Sequence, residues 1–260
     1  EVLDYIPCNI ETLMPSLSQV EEALSSNKFE DNELVIMLSH MGGIINPDIE
    51  EIAKLCKSKN IILLEDCAHS FGSTFNNKHS GLFGDAGVYS FYSTKAIPAG
   101  EGGAIVSNNI DILKYAERYT KYDRFERSMS VGNNIRLSEL QALFIYSVVS
   151  EHSSIIKNKA QIAEKYIEVC DNLSINYINQ EINGQQGNYY KFVIYHPDVA
   201  ISDYLPKLET KTSGIYDYSL CGSDFIPKHH VCLPIWYEQD QNLMNNAIKE
   251  LNDCFEEKNK

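Results

Sequence analysis

Basic residues are in short supply. Over 260 residues, 22 Lys and Arg stand against 36 Asp and Glu, a formal net charge of −14. Such a surface repels phosphate backbones and anionic lipid headgroups, which excludes nucleic acid and membrane surfaces as leading partners. It does not exclude a small anion, because a pocket with backbone N–H groups and a few cations overrides the global field locally. No apolar run approaches the roughly 20 residues of a membrane-crossing helix, and no signal-peptide pattern opens the chain. The seven cysteines are odd in number, widely spaced and free of any C-x-x-C pair. That pattern argues against a disulfide framework and for reduced thiols in a cytoplasmic protein. An initiator Met is also missing. Residue 1 is Glu, so a stretch removed or left out ahead of it is expected, and the start of the chain need not be the start of the fold.

What is present is a chain 43% hydrophobic, long enough for one large globular unit or two domains. From residue 33 to 106, short apolar runs alternate with helix-like segments, the signature of parallel βαβ architecture. Leu34 to Leu38 reads as a buried strand. Pro47 and Asp48 then give a helix start, followed by a stripe of Ile49, Ile52, Ala53, Leu55 and Cys56. Ile61 to Leu64 is an unbroken apolar run and predicts a strand buried on both faces. Gly87 to Tyr92 and Gly103 to Ser107 predict two more strands. Helices follow at Asp111 to Lys121 and from Leu137 into Lys157 and beyond, with another over Lys159 to Val169. The expected architecture is α/β, a mostly parallel sheet with flanking helices over residues 1–155 and a smaller α+β domain over 156–260. The cluster Asn179 to Asn188 reads as a hairpin loop.

Two residues break the apolar pattern where chemistry is expected. Lys95 lies between the strand ending Tyr89-Ser-Phe-Tyr and the Gly-rich turn Ala99-Gly-Glu-Gly-Gly. A lysine held in such a place loses its proton more easily than a surface lysine, since burial disfavours the charged form, and becomes a competent imine former. Asp66 ends an apolar strand, the position at which open α/β sheets bind ligands. Its bland reading is a cap for the next helix. Glu65, next to it, points to the other face and reads as structural. An amine and a carboxylate at the tips of buried strands are what a pyridoxal phosphate site needs, one for the aldehyde and one for the ring nitrogen.

The motif Leu64-Glu-Asp-Cys-Ala-His-Ser-Phe-Gly-Ser, then Gly84-Asp-Ala-Gly-Val-Tyr-Ser-Phe-Tyr-Ser-Thr-Lys, then Gly132-Asn-Asn-Ile-Arg-Leu-Ser-Glu-Leu-Gln-Ala resembles the DegT/StrS family of sugar aminotransferases, pyridoxal 5'-phosphate enzymes of fold type I. The resemblance implies amino transfer from glutamate to a keto nucleotide sugar. It makes Lys95 the imine former and proton carrier, Asp66 the partner of the pyridinium nitrogen, Ala68 the floor of the ring and His69 a neighbour of the ring hydroxyl. Ser90 would bind the cofactor phosphate. Asn134 would reach the phosphate held by the neighbouring subunit, so a homodimer with a shared active site is implied. His69 as an interior histidine, Ser90 as a strand residue and Asn134 as a helix cap are the bland readings. Relatives that dehydrate sugars carry histidine at the lysine position, so Lys95 favours amino transfer.

The family also carries a Gly-Thr pair at a helix N-terminus and an aromatic residue stacked on the ring. Neither precedes Glu1 to Pro7, which resembles the family's third strand. The alternative function is therefore a non-catalytic or split-subunit remnant of the fold, incomplete without an N-terminal piece. Substrate choice is expected to involve Tyr216, Tyr218, His229 and His230.

Overall fold

The computed structural model describes residues 4–26, 33–121, 132–198, 200–201, 210, 214–215 and 225–256. Residues 4–9 form no strand, and residues 1–3 of the expected third strand lie outside the described residues. Helix α1 (Leu17–Ser26) opens with a reciprocal box in which Gln19 N donates to Ser16 Oγ and Ser16 N donates to Gln19 Oε1. Strand β1 (Val35–Ser39) leads to α2 (Ile49–Lys59). Asp48 does not cap its own helix with its side chain; Oδ2 instead accepts from Leu17 N at 2.7 Å, tying α1 to α2.

Strands β2 (Ile62–Asp66) and β5 (Ala86–Ser90) lie parallel to β1, and β6 (Gly103–Val106) closes the order β1-β2-β5-β6 antiparallel to β5. Ile36, Leu38 and Leu63 face α1 and α2, where Val20, Ile49, Ile52 and Cys56 complete a core. Each such aliphatic side chain contributes about 1.5–3 kcal/mol by leaving water. The opposite face differs from the sequence expectation: Val35, Met37, Ile62, Val88 and Ile105 are exposed. An apolar residue satisfies either face of a strand, so the unbroken run 61–64 could not distinguish a covered face from an open one.

Helix α3 (Ile110–Thr120) is capped by Asn109, and α4 (Glu139–Ser150) by Ser138, whose Oγ accepts from Gln141 N. The single long helix expected from Leu137 past Lys157 is two, because Glu151 breaks the chain before α5 (His152–Leu173). α5 and α7 (Gln241–Glu256) cover an antiparallel sheet of β7 (Asn176–Tyr177), β9 (Phe192–Tyr195) and β10 (His230–Leu233), the last preceded by α6 (Phe225–His229). Tyr166, Phe192, Ile194, Leu233 and Leu251 fill the space between them.

The expected hairpin loop connects β7 to β9, which pair antiparallel, but it also carries a strand of its own. β8 (Gln185–Gln186) leaves the loop and pairs with β3 (Thr74–Phe75), which also pairs with β4 (Lys78–His79). Gln185 locks the junction, accepting from Ile45 N and donating to Ile45 O. This clasp brings the segment before β9 against the carboxyl ends of the parallel strands.

Candidate active site at the lysine turn

Asp66 ends β2 in register with Ser39, the last residue of β1, and with Val88 of β5. The two-residue period places Ser90 on the same face as Val88, so Ser39, Asp66 and Ser90 gather at one end of the parallel strands. Asp66 is no helix cap: Oδ1 accepts from Ala68 N at 3.0 Å and Oδ2 from Ser39 Oγ at 3.2 Å. Ser90 is half-buried and its Oγ accepts from Tyr92 N at 3.3 Å.

Glu65 faces the other way, fully buried. Its carboxylate accepts from Gly81 N at 2.8 Å, from Phe83 N and Gly84 N at 2.6 Å each, and from His40 Nε2 at 2.9 Å. His40 Nδ1 accepts from Asn46 N, so the ring proton sits on Nε2. Burial pulls the Glu65 carboxyl upward, but the His40 bond and the Gly84 and Gly81 N–H groups outweigh it and leave it below the ordinary range. His40, Glu65 and Cys67 lie close enough to suggest metal ligands. The Glu65 oxygens and His40 are already committed to protein donors, and burial pushes the Cys67 thiol up, away from the thiolate a metal takes. This cluster anchors the strand end.

Lys95 stands on a turn closed by Ala99 N donating to Phe91 O and Lys95 N donating to Tyr92 O, each 2.9 Å. Gln141 of α4 reaches across to donate to Ala99 O and Glu101 O. The Lys95 amine is half-buried. Desolvation holds its pKa below the usual lysine value, with Lys191 adding to the effect and Asp66 opposing it. His69 follows Asp66 on a turn clamped by Asn188, whose Nδ2 donates to His69 O and Phe71 O at 2.9 Å each. The Tyr190 ring packs on His69 with centroids 4.4 Å apart. Burial brings the His69 pKa down to about 4, with Lys95 and Lys191 lowering it and Asp66 raising it. Its Nδ1 is sealed from solvent without a hydrogen-bond partner.

Asp66, Ala68, His69 and Lys95 thus share one neighbourhood. Asn134 lies apart on an exposed segment, bridged to Lys121, where Oδ1 accepts from Arg136 Nε at 3.2 Å. It is not the cap of α4, which is Ser138. Of the C-terminal residues, His230 is buried with Nδ1 against Ile226 O and Nε2 accepting from Ile215 N, while His229 Nδ1 meets His196 O. Both rings serve backbone groups. Tyr216 and Tyr218 lie outside the described residues.

Beside Lys95 opens a cleft of about 240 Å³ lined in part by Lys159, Tyr190, Lys191, Trp236 and Tyr237. None of these five was singled out from the sequence. Lys159 carried the clearest signal, a lysine within the inward stripe Ile155, Ala163, Tyr166 and Cys170 of α5.

The profile of the DegT/DnrJ/EryC1/StrS aminotransferase family matches residues 4–213. The chain belongs to this family. This family member is 30% identical over 167 residues to GDP-perosamine synthase of Escherichia coli O157:H7, covering 62% of this chain and 44% of the relative. It is 27% identical over 183 residues to the UDP-4-amino-4,6-dideoxy-N-acetyl-beta-L-altrosamine transaminase of Helicobacter pylori, covering 68% of this chain and 48% of the relative. The chain therefore spans less than half the length of these curated relatives. Among solved structures, the aminotransferase TlmJ from Streptoalloteichus hindustanus superposes with a TM-score of 0.81 at 20% identity, over 97% of this chain and 72% of that one. Helicobacter pylori PseC, an aminotransferase involved in the biosynthesis of pseudoaminic acid, gives 0.80 at 19% identity, over 95% and 72%. The family member shares their fold, with a mostly parallel sheet flanked by helices.

Proposed function

We propose that the protein is a pyridoxal 5'-phosphate aminotransferase that moves an amino group from glutamate to a keto nucleotide sugar. The observation that carries this reading is the convergence of the Lys95 amine, the Asp66 carboxylate and a buried His69 whose Nδ1 has no partner. An orphaned buried ring nitrogen is costly, and a cofactor hydroxyl beside it would satisfy it, so the donor set fits the cofactor. Family membership supports the same assignment.

When bound, the cofactor supplies an electron sink that acidifies the carbon bearing the amino group. Lys95 Nζ, deprotonated more readily than a surface lysine, would hold the cofactor aldehyde and then carry a proton between the two carbons exchanged in the transfer. Asp66 would keep a proton on the ring nitrogen, its own geometry fixed by Ser39 and Ala68. Ala68 would underlie the ring, and Ser90, at the end of β5, would donate to the phosphate. Asn134 would serve the phosphate of a second subunit in a homodimer. The exposed apolar side chains Leu140, Leu143 and Phe144 on the following helix offer area for that partner. We place the cofactor domain at residues 1–155 and the smaller domain at 156–260, and assign the protein to the cytoplasm.

The complete gene product mixed with pyridoxal 5'-phosphate should develop a visible absorbance band that fades on adding glutamate and is absent in Lys95→Ala. A protein that binds the cofactor with no such band, or a band unchanged in Lys95→Ala, overturns the assignment and favours the non-catalytic remnant.

A further inference from the structure

The inward stripe of α5 runs through Ile155, Lys159, Ala163, Tyr166 and Cys170, and Lys159 is its single charged member. The side chain is 3% exposed. Among the described residues its amine has neither a hydrogen bond nor an ion pair, although the sequence holds 36 carboxylates. It opens instead on the cleft beside Lys95, which Lys191 also lines. Among the described residues that lining contains three lysines and no acidic residue. Lys95 and Lys191 each place their amine 5.4 Å from the centre of the Tyr190 ring, so one tyrosine ring serves two amines. Burial, followed by repulsion from Lys191, brings the Lys159 pKa down to about 7. A buried amine with no partner, set among like charges, is a costly arrangement for a purely structural role.

We propose that Lys159 and Lys191 form an anion subsite that takes an oxyanion group of a substrate, carboxylate or phosphate, beside the Lys95 amine. The identity of the substrates rests on the aminotransferase reading; the subsite itself does not. About 240 Å³ equals the liquid volume of roughly eight waters. That space admits an amino dicarboxylate, or the diphosphate portion of a nucleotide sugar. An incoming anion would supply the negative charge that the protein withholds here, and its pairing with Lys159 would fix the distance from its reacting carbon to Lys95. Trp236 and Tyr237 stand exposed at the rim.

Trp236 is the only tryptophan of the chain, so its fluorescence reports on the cleft. The complete gene product is titrated with glutarate and, separately, with inorganic pyrophosphate. At least one should change the Trp236 signal saturably, with affinity at least tenfold weaker in Lys159→Met and in Lys191→Met. Lys157→Met, an exposed position on the same helix, serves as the charge control and should bind as wild type. Lys191→Met alters a half-buried residue and keeps the test decisive if Lys159→Met melts early. Tighter glutarate assigns the subsite to the amino donor; tighter pyrophosphate assigns it to the nucleotide sugar. A flat response to both anions, or wild-type affinity in both variants, overturns the proposal. Anion binding retained in a protein without the cofactor band counts against the aminotransferase reading alone.

Discussion

At the scale of residues, the site works through unequal environments for neighbouring groups. His69 is kept neutral because burial and two nearby lysines oppose its proton, so its pKa sits at about 4 against an ordinary 6.5. The unfolded chain therefore takes up a proton between pH 6.5 and 4 that the folded chain refuses. Stability from the neutral ring is present above about 6.5 and lost as the pH falls towards 4. Between pH 7 and pH 5 the wild type should lose roughly 2 kcal/mol more than His69→Asn by this route. Urea unfolding of both proteins at the two pH values checks it, and equal losses would contradict the burial argument. Lys95→Ala should raise the His69 pKa, since Lys95 is one of the groups holding it down.

Asp66 and Lys95 were legible in the sequence because each interrupts an apolar strand pattern with a functional group at its tip. Lys159 and Lys191 were not, although Lys159 breaks a helical stripe. A single lysine in a long helix reads as a surface charge until the packing of the facing sheet is known. Tyr190 was hidden for another reason: it reaches His69 only because Asn188 clamps the turn 117 and 119 residues earlier in the chain, a pairing with no local signal.

At the scale of elements, Glu65 holds the carboxyl end of β2 to the loop before β5. Four donors converge on its carboxylate, and Glu65→Gln would turn an amide NH₂ towards at least one of them. The expected cost is about 3–5 kcal/mol of unfolding free energy, as for other broken buried pairs. Denaturant unfolding at neutral pH measures it, and a loss below 1 kcal/mol would show the anchor to be unimportant. The alternation along β2 was enough to place Glu65 and Asp66 on opposite faces, since successive side chains of a strand point to alternate sides. Strands β1, β2, β5 and β6 and helices α2 and α3 were readable from period and caps. The break at Glu151 was not, because no Gly or Pro marks a stop between α4 and α5. The role of β8 was also unreadable: Gln185 and Gln186 resemble loop residues until their partners at Ile45 and β3 are in view.

At the scale of the whole molecule, the charge pattern is divided. An overall excess of acid discourages polyanions, while three lysines share one small cleft. A family member of this kind can draw the anionic group of a small substrate to the lysine turn while its overall field repels polyanions such as nucleic acid. The arrangement also suggests separate tasks for amines that look alike in sequence: Lys95 is electrostatically coupled to Asp66 and His69, whereas Lys159 lies deeper, on the core face of α5. Only the first faces the groups expected to hold the cofactor ring. The most direct measurement is borohydride reduction of the complete gene product with stoichiometric pyridoxal 5'-phosphate, followed by peptide mass mapping. The account predicts cofactor fixed on the peptide containing Lys95, with Lys159 and Lys191 unmodified; cofactor fixed on Lys159 or Lys191, with Lys95 free, would contradict it.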